Sequence, residues 1–104
     1  MYATQKLARE KEADFIKWQL EQEILQKVEE YNFWQQHLAY YRSTALPNAE
    51  LIVFNASKSY QNGEIEYVEY LQALQTALES KKGYINTVNN LNQTIISIEF
   101  LLGN

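Results

Sequence analysis

The 104-residue sequence has no cysteine, one proline and three glycines. Without cysteine there can be no disulfide, thiolate metal ligand or cysteine nucleophile, and the redox compartment is left open. So little Gly and Pro disfavours turn-rich, many-stranded folds and favours long uninterrupted helices. Basic charge is also scarce. Nine Lys and Arg face thirteen Asp and Glu, for a net charge of −4, and the cations are scattered instead of striped. A phosphate-neutralising surface is therefore missing, and nucleic acid is not an expected partner. No apolar run is long enough to cross a membrane, and Met1–Lys6 lacks the apolar core of a signal peptide. His37 is the single histidine and Met1 the single methionine, which leaves no ligand set for a transition metal. No carboxylate pair sits where a closed pocket would separate its pKa values for acid–base work. The sequence is read as a non-enzyme with no catalytic, metal or cofactor site.

What the chain does have is helical periodicity. From about Thr4 to Ser43, Leu20, Ile24, Val28, Tyr31, Trp34, Leu38, Tyr41 and Ala45 recur at steps of three and four. Phe15, Trp18, Leu25 and Phe33 fall off this stripe and suggest a second apolar contact. Glu23 and Lys27 are spaced for an i,i+4 ion pair. A helix of about forty residues measures roughly 60 Å, a coiled-coil length. Pro47 interrupts the pattern, since it removes a backbone donor and disfavours helix at the residue before it. Either one continuous helix kinks there, or it breaks and Ser43 or Thr44 caps a new one. Ala49, Ile52, Ala56 and Tyr60, again three and four apart, favour the kink.

The chain is organised around Ser59–Ala73. Asn62-Gly63 is a pair that readily takes positive φ and ends a helix. Glu64, Glu66 and Glu69 follow, as the first turns of a new helix prefer. An Asn-Gly β-turn would need period-2 alternation on both sides, and the flanks have helical spacing instead. A second helix is expected over about residues 65–102, closed by Gly103. Three seven-residue rows run along it. They are Tyr70, Ala77, Tyr84, Leu91, Ile98; then Leu71, Leu78, Ile85, Asn92, Glu99; then Leu74, Lys81, Val88, Ile95, Leu102. This stripe is wider than a two-stranded coiled coil uses and suits a helix touching two neighbours. Asn86, Asn89, Asn90 and Asn92 are weak helix formers, so packing or cross-helix hydrogen bonds must compensate.

The predicted fold is therefore all-α: one long antiparallel helical hairpin, coiled-coil-like. Its first helix covers about residues 4–61 with a kink near 47, and its tip is residues 61–65.

The pattern Tyr60-x-x-Gly63-x-x-x-x-x-Glu69-x-Leu71-x-Ala73, followed by helix to Leu101-Leu102-Gly103, resembles the outer-membrane efflux protein (TolC-like) family. Ala45-Leu46-Pro47-Asn48-Ala49-Glu50 looks like that family's approach to its tip. The wording from Gly63 to Leu74 is most similar to TolC-like segments associated with heavy-metal cation efflux pumps of the resistance-nodulation-division (RND) class, CusA/CzcA type. The resemblance covers about residues 45–103; the residues before it fit only as generic coiled coil. It implies a piece of a trimeric α-helical conduit crossing the periplasm of a Gram-negative envelope. The implied partners are a periplasmic adaptor (membrane-fusion) protein, an RND-type pump and further copies of the same hairpin. Tyr60, Asn62, Gly63, Glu64 and Ile65 would be the adaptor-facing tip, with Glu69 and Gln72 lining the entrance. The family often has a second acidic residue where Gln72 stands, so a double ring of carboxylates is not implied. A complete family member carries a duplicated helical unit with barrel strands, and this sequence matches only part of one. The competing expectation, from periodicity alone, is a free-standing soluble coiled-coil module that scaffolds partner helices.

Overall fold

Two arms run the length of the molecule. The computed structural model describes residues 1–103. Helix α1 (Tyr2–Tyr40) passes through a π-helical turn (Tyr41–Ala45) straight into α2 (Leu46–Gln61), and α3 (Tyr67–Leu101) returns beside them. Among the described residues there is no strand. The rod measures 89 × 21 × 17 Å, matching the ~90 Å that a helix from Tyr2 to Gln61 spans at ~1.5 Å per residue. The all-α antiparallel hairpin expected from the sequence is the fold. No helix is long and apolar enough to cross a membrane, among the described residues.

At Pro47 the helix continues. Ala45 (φ −67°, ψ −45°) and Leu46 (φ −68°, ψ −46°) keep right-handed helical backbone. Ser43 and Thr44 cap nothing, and their hydroxyls instead share a 3.2 Å hydrogen bond. The Leu46 N–H donates to the Tyr41 carbonyl, five residues back. This wider turn relieves the press of the Pro47 ring on the carbonyl four residues before it.

The arms meet along a narrow seam. On α3 it consists of Tyr70, Ala73, Ala77, Ser80, Tyr84, Thr87, Leu91, Thr94, Ile98 and Leu101, alternating steps of three and four without a break. That alternation is the heptad seam of a two-stranded coiled coil. Leu38, Ala49, Ala77 and Leu91 are its most deeply buried apolar residues. The row Tyr70–Ile98 lies in the seam as expected, but its neighbour there is Ala73, Ser80, Thr87, Thr94, Leu101. Leu71, Leu78 and Ile85 are exposed, so the wide stripe is only partly covered. Thr87 and Thr94 can sit in the seam because their hydroxyls donate to the Gly83 and Asn90 carbonyls, at 2.9 Å each. With its hydroxyl turned onto its own helix, each adds no unpaired polar group to the seam. Packing, not cross-helix bonding, carries α3 through its asparagines: among the described residues no side-chain hydrogen bond joins the two arms.

On the first arm the seam holds Ile24, Tyr31, Trp34, Leu38, Tyr41 and Ala45, while Leu20 and Val28 remain largely exposed. In α2 Ala49 is buried and Val53 half-buried, whereas Ile52 faces outward. Lys27 pairs with Glu30 at 3.2 Å instead of with Glu23. Residues 1–23 are exposed throughout, and α3 ends level with Glu23.

Candidate functional site

The tip is closed by two backbone hydrogen bonds. The Glu64 N–H donates to the Ser59 carbonyl at 2.8 Å and the Gly63 N–H to the Tyr60 carbonyl at 3.1 Å. This is the paired-bond Schellman ending of a helix, with glycine at the left-handed position. Gly63 has φ +75°, while Asn62 stays right-handed at φ −83°, so only the glycine supplies the positive φ. A Cβ at Gly63 would meet nothing within 4 Å; the constraint there is backbone conformation, not space.

Helix α3 begins later than the sequence suggests. Glu66 is its N-cap, in extended conformation (φ −87°, ψ 166°) and without a side-chain capping bond, and Glu69 is the one acidic residue of the first turn. Glu64 therefore belongs to the turn rather than the helix. Ile65 is half-buried under the tip. Tyr60 ends the first arm with its ring stacked on Tyr70, centroids 5.1 Å apart and planes 13° apart, and tilted against Tyr67 at 6.0 Å. The expected tip residues Tyr60, Asn62, Gly63, Glu64 and Ile65 are thus together at one end of the rod. Among them Ile65 alone is not exposed.

Glu69 and Gln72 lie on exposed turns of α3 just behind the tip. Seven-residue steps place Glu69 in one row with Thr76, Gly83, Asn90 and Ser97, and Gln72 in one row with Glu79, Asn86 and Gln93 before that row ends in exposed Phe100. Asn90, Gln93 and Ser97 line a groove with Phe33 and Trp34 on one long side of the rod. On the opposite side Ala77 and Lys81 line a groove with Glu50, Val53 and Phe54. Leu71, Leu78 and Ile85 flank that second groove. Behind the tip helix α3 is therefore two-sided: polar along the Glu69–Gln93 flank, with Glu69 and Glu79 its acidic residues, and apolar along the Leu71–Ile85 flank.

Sequence reading passed over Gly83, which sits mid-helix with no turn to explain it. A Cβ there would run into the Tyr41 ring and its hydroxyl. The signal was available: a lone glycine inside a strong helical pattern marks a close approach. His37 packs against Phe33 and Trp34, with centroids at 4.4 and 5.7 Å. Among the described residues no three of His, Asp and Glu converge on one point. No family model, curated protein or solved structure matches this chain.

Proposed function

We propose that the hairpin is a structural and interaction segment of a TolC-like efflux conduit serving heavy-metal cation export, with the Gly63 tip docking an adaptor. The observation that carries this reading is the two-sidedness of α3 behind a Schellman-closed tip. An apolar flank of Leu71, Leu78 and Ile85 suits packing beside the next hairpin, since apolar faces of this extent are covered in functional assemblies. The polar flank bearing Glu69 and Gln72 suits an aqueous wall. In this role the segment performs no chemistry. It walls a passage, and its tip residues Tyr60, Asn62, Glu64 and Ile65 meet the adaptor.

The test uses the native polypeptide carrying the segment, followed by immunoblot through fractionated cells. Recovery with the envelope membranes in a chain much longer than 104 residues supports the reading. A cytosolic species of this size overturns it in favour of the coiled-coil scaffold. In the same cells, Gly63→Val in the full-length protein is expected to lower tolerance of copper or zinc salts. Unchanged tolerance at normal expression would sink adaptor docking through this tip.

A further inference from the structure

We propose that the π turn at Tyr41–Ala45 is a register device. It stores one residue more than α3 can match, so that both halves of the first arm keep their seam against one uninterrupted helix.

From α1 through the turn the covered residues include Ile24, Lys27, Tyr31, Trp34, Leu38, Tyr41 and Ala45, alternating three and four, with Glu30 and Gln35 half-buried beside them. Continuing that alternation past Ala45 would put Asn48 and Ile52 in the seam. Both are exposed, and Ala49 and Val53 occupy the seam instead, with Leu46 half-buried ahead of them. The phase of the first arm has moved by one residue. The facing row of α3 shows no such step from Tyr70 to Leu101. An unmatched residue in one arm must go somewhere, and a π turn closes its hydrogen bond over five residues instead of four. The Leu46 N–H to Tyr41 carbonyl bond is that closure.

The opposite arm is shaped to receive it. Tyr41, at the start of the turn, lies over Gly83, and a Cβ there would collide with the phenol. A glycine inside a helix is less favourable than an alanine, and this close approach accounts for its presence. The Tyr84 ring beside it meets Tyr41 edge-on at 6.5 Å. Pro47 is compatible with the turn but does not set it. Proline accounts for a lost donor and a local widening, whereas it does not account for the changed identity of seam residues from Leu46 through Ala56.

The test compares three forms of the 104-residue chain by thermal melting followed by circular dichroism. Each also carries Ala49→Cys and Ala77→Cys, whose oxidative crosslinking reports the register of the tip half. In the first, Ser43 is deleted and Pro47→Ala removes the ring that a plain α-helix would not tolerate. The steps then run three and four throughout, and we expect melting within a few degrees of the parent and full crosslinking. In the second, Asn89 is deleted from α3, doubling the mismatch; melting should fall by about 10 °C or more, as a loss of ~2 kcal/mol gives for a chain this size. The third carries Pro47→Ala alone, and its crystal structure should retain the π turn. Equal losses in both deletion variants overturn the proposal, and so does equal tolerance. A plain α-helix in the Pro47→Ala protein, with Ala49 and Val53 still in the seam, overturns it too.

Discussion

The two ends of this rod are built differently. At the tip the chain closes on itself: the Tyr60 and Ser59 carbonyls of α2 accept the Gly63 and Glu64 N–H groups, Tyr60 stacks on Tyr70, and Ile65 is half-covered. At the other end α3 stops at Leu101, beside Glu23, Gln26 and Lys27, and α1 runs on alone. That extension carries Leu7, Phe15, Ile16 and Trp18, all more than half exposed. Among the described residues its one aromatic pair is Phe15 stacked on Trp18, with centroids 6.1 Å apart. Seam residues hold the hairpin together, whereas those of the extension hold nothing within it. The stability of the chain therefore lies between Ile24 and Leu101, in the paired region behind the tip.

The largest effect should therefore come from the seam. Leu91 is 6% exposed and lies in its buried row. Leu91→Ala removes most of a buried side chain and leaves a gap between two helices that cannot both close on it. A loss of about 2–3 kcal/mol is expected, the lower part of the range for such truncations because so narrow a seam can partly relax. Urea unfolding followed by circular dichroism would measure it. A loss no larger than that from truncating exposed Leu78 would contradict the placement of the seam on the Leu91 row.

Legibility from sequence follows the same division. The helices, the hairpin and the tip were readable, because long periodic segments and an Asn-Gly break are strong local signals. The path through Pro47 was legible only as a choice between a kink and a break, which the spacing of Ala49, Ile52, Ala56 and Tyr60 tilted toward the kink. The inner face of α3 was read only in half. Ser80, Thr87 and Thr94 count as polar in a sequence, and nothing local reveals that the threonine hydroxyls turn back onto the Gly83 and Asn90 carbonyls. Leu71, Leu78 and Ile85 look as buried as Tyr70 and Leu91 until the partner arm is shown to be too narrow to cover both rows. The π turn was hidden because the extra residue is visible only once both arms are aligned. At the tip, the position of Gly63 could be read, while the start of α3 at Tyr67 instead of Ile65 depends on where the chain has room to turn.

A second way to probe the comparison acts on the tip itself. Gly63→Val forces a β-branched residue into φ +75°, at a cost of about 1–2 kcal/mol. Because a Cβ there meets nothing within 4 Å, the loss should be conformational and Gly63→Ala should show most of it. Melting curves of the two variants check this directly. A large additional loss for valine alone would point to crowding and against the open tip.

The smallest expected effect is the most informative about the free end. Deleting residues 2–20 removes two aromatic side chains besides Tyr2, and from composition alone that should weaken a hairpin with so little buried core. The structure argues otherwise, because no residue in that stretch is even half-buried by α3. Its helical backbone contributes little alone, since a segment of about this length without a packed face is marginal in water. The truncated chain should therefore unfold within ~0.5 kcal/mol of the parent, the range for surface changes that break no named contact. Helical signal should fall only by the share of the deleted turns. Sedimentation of the two chains side by side supplies the other half of the measurement. If the deletion leaves stability unchanged but reduces self-association, Phe15 and Trp18 act between molecules. If stability drops by 2 kcal/mol or more, the open end is packed within the chain, and the contrast between the two ends is wrong.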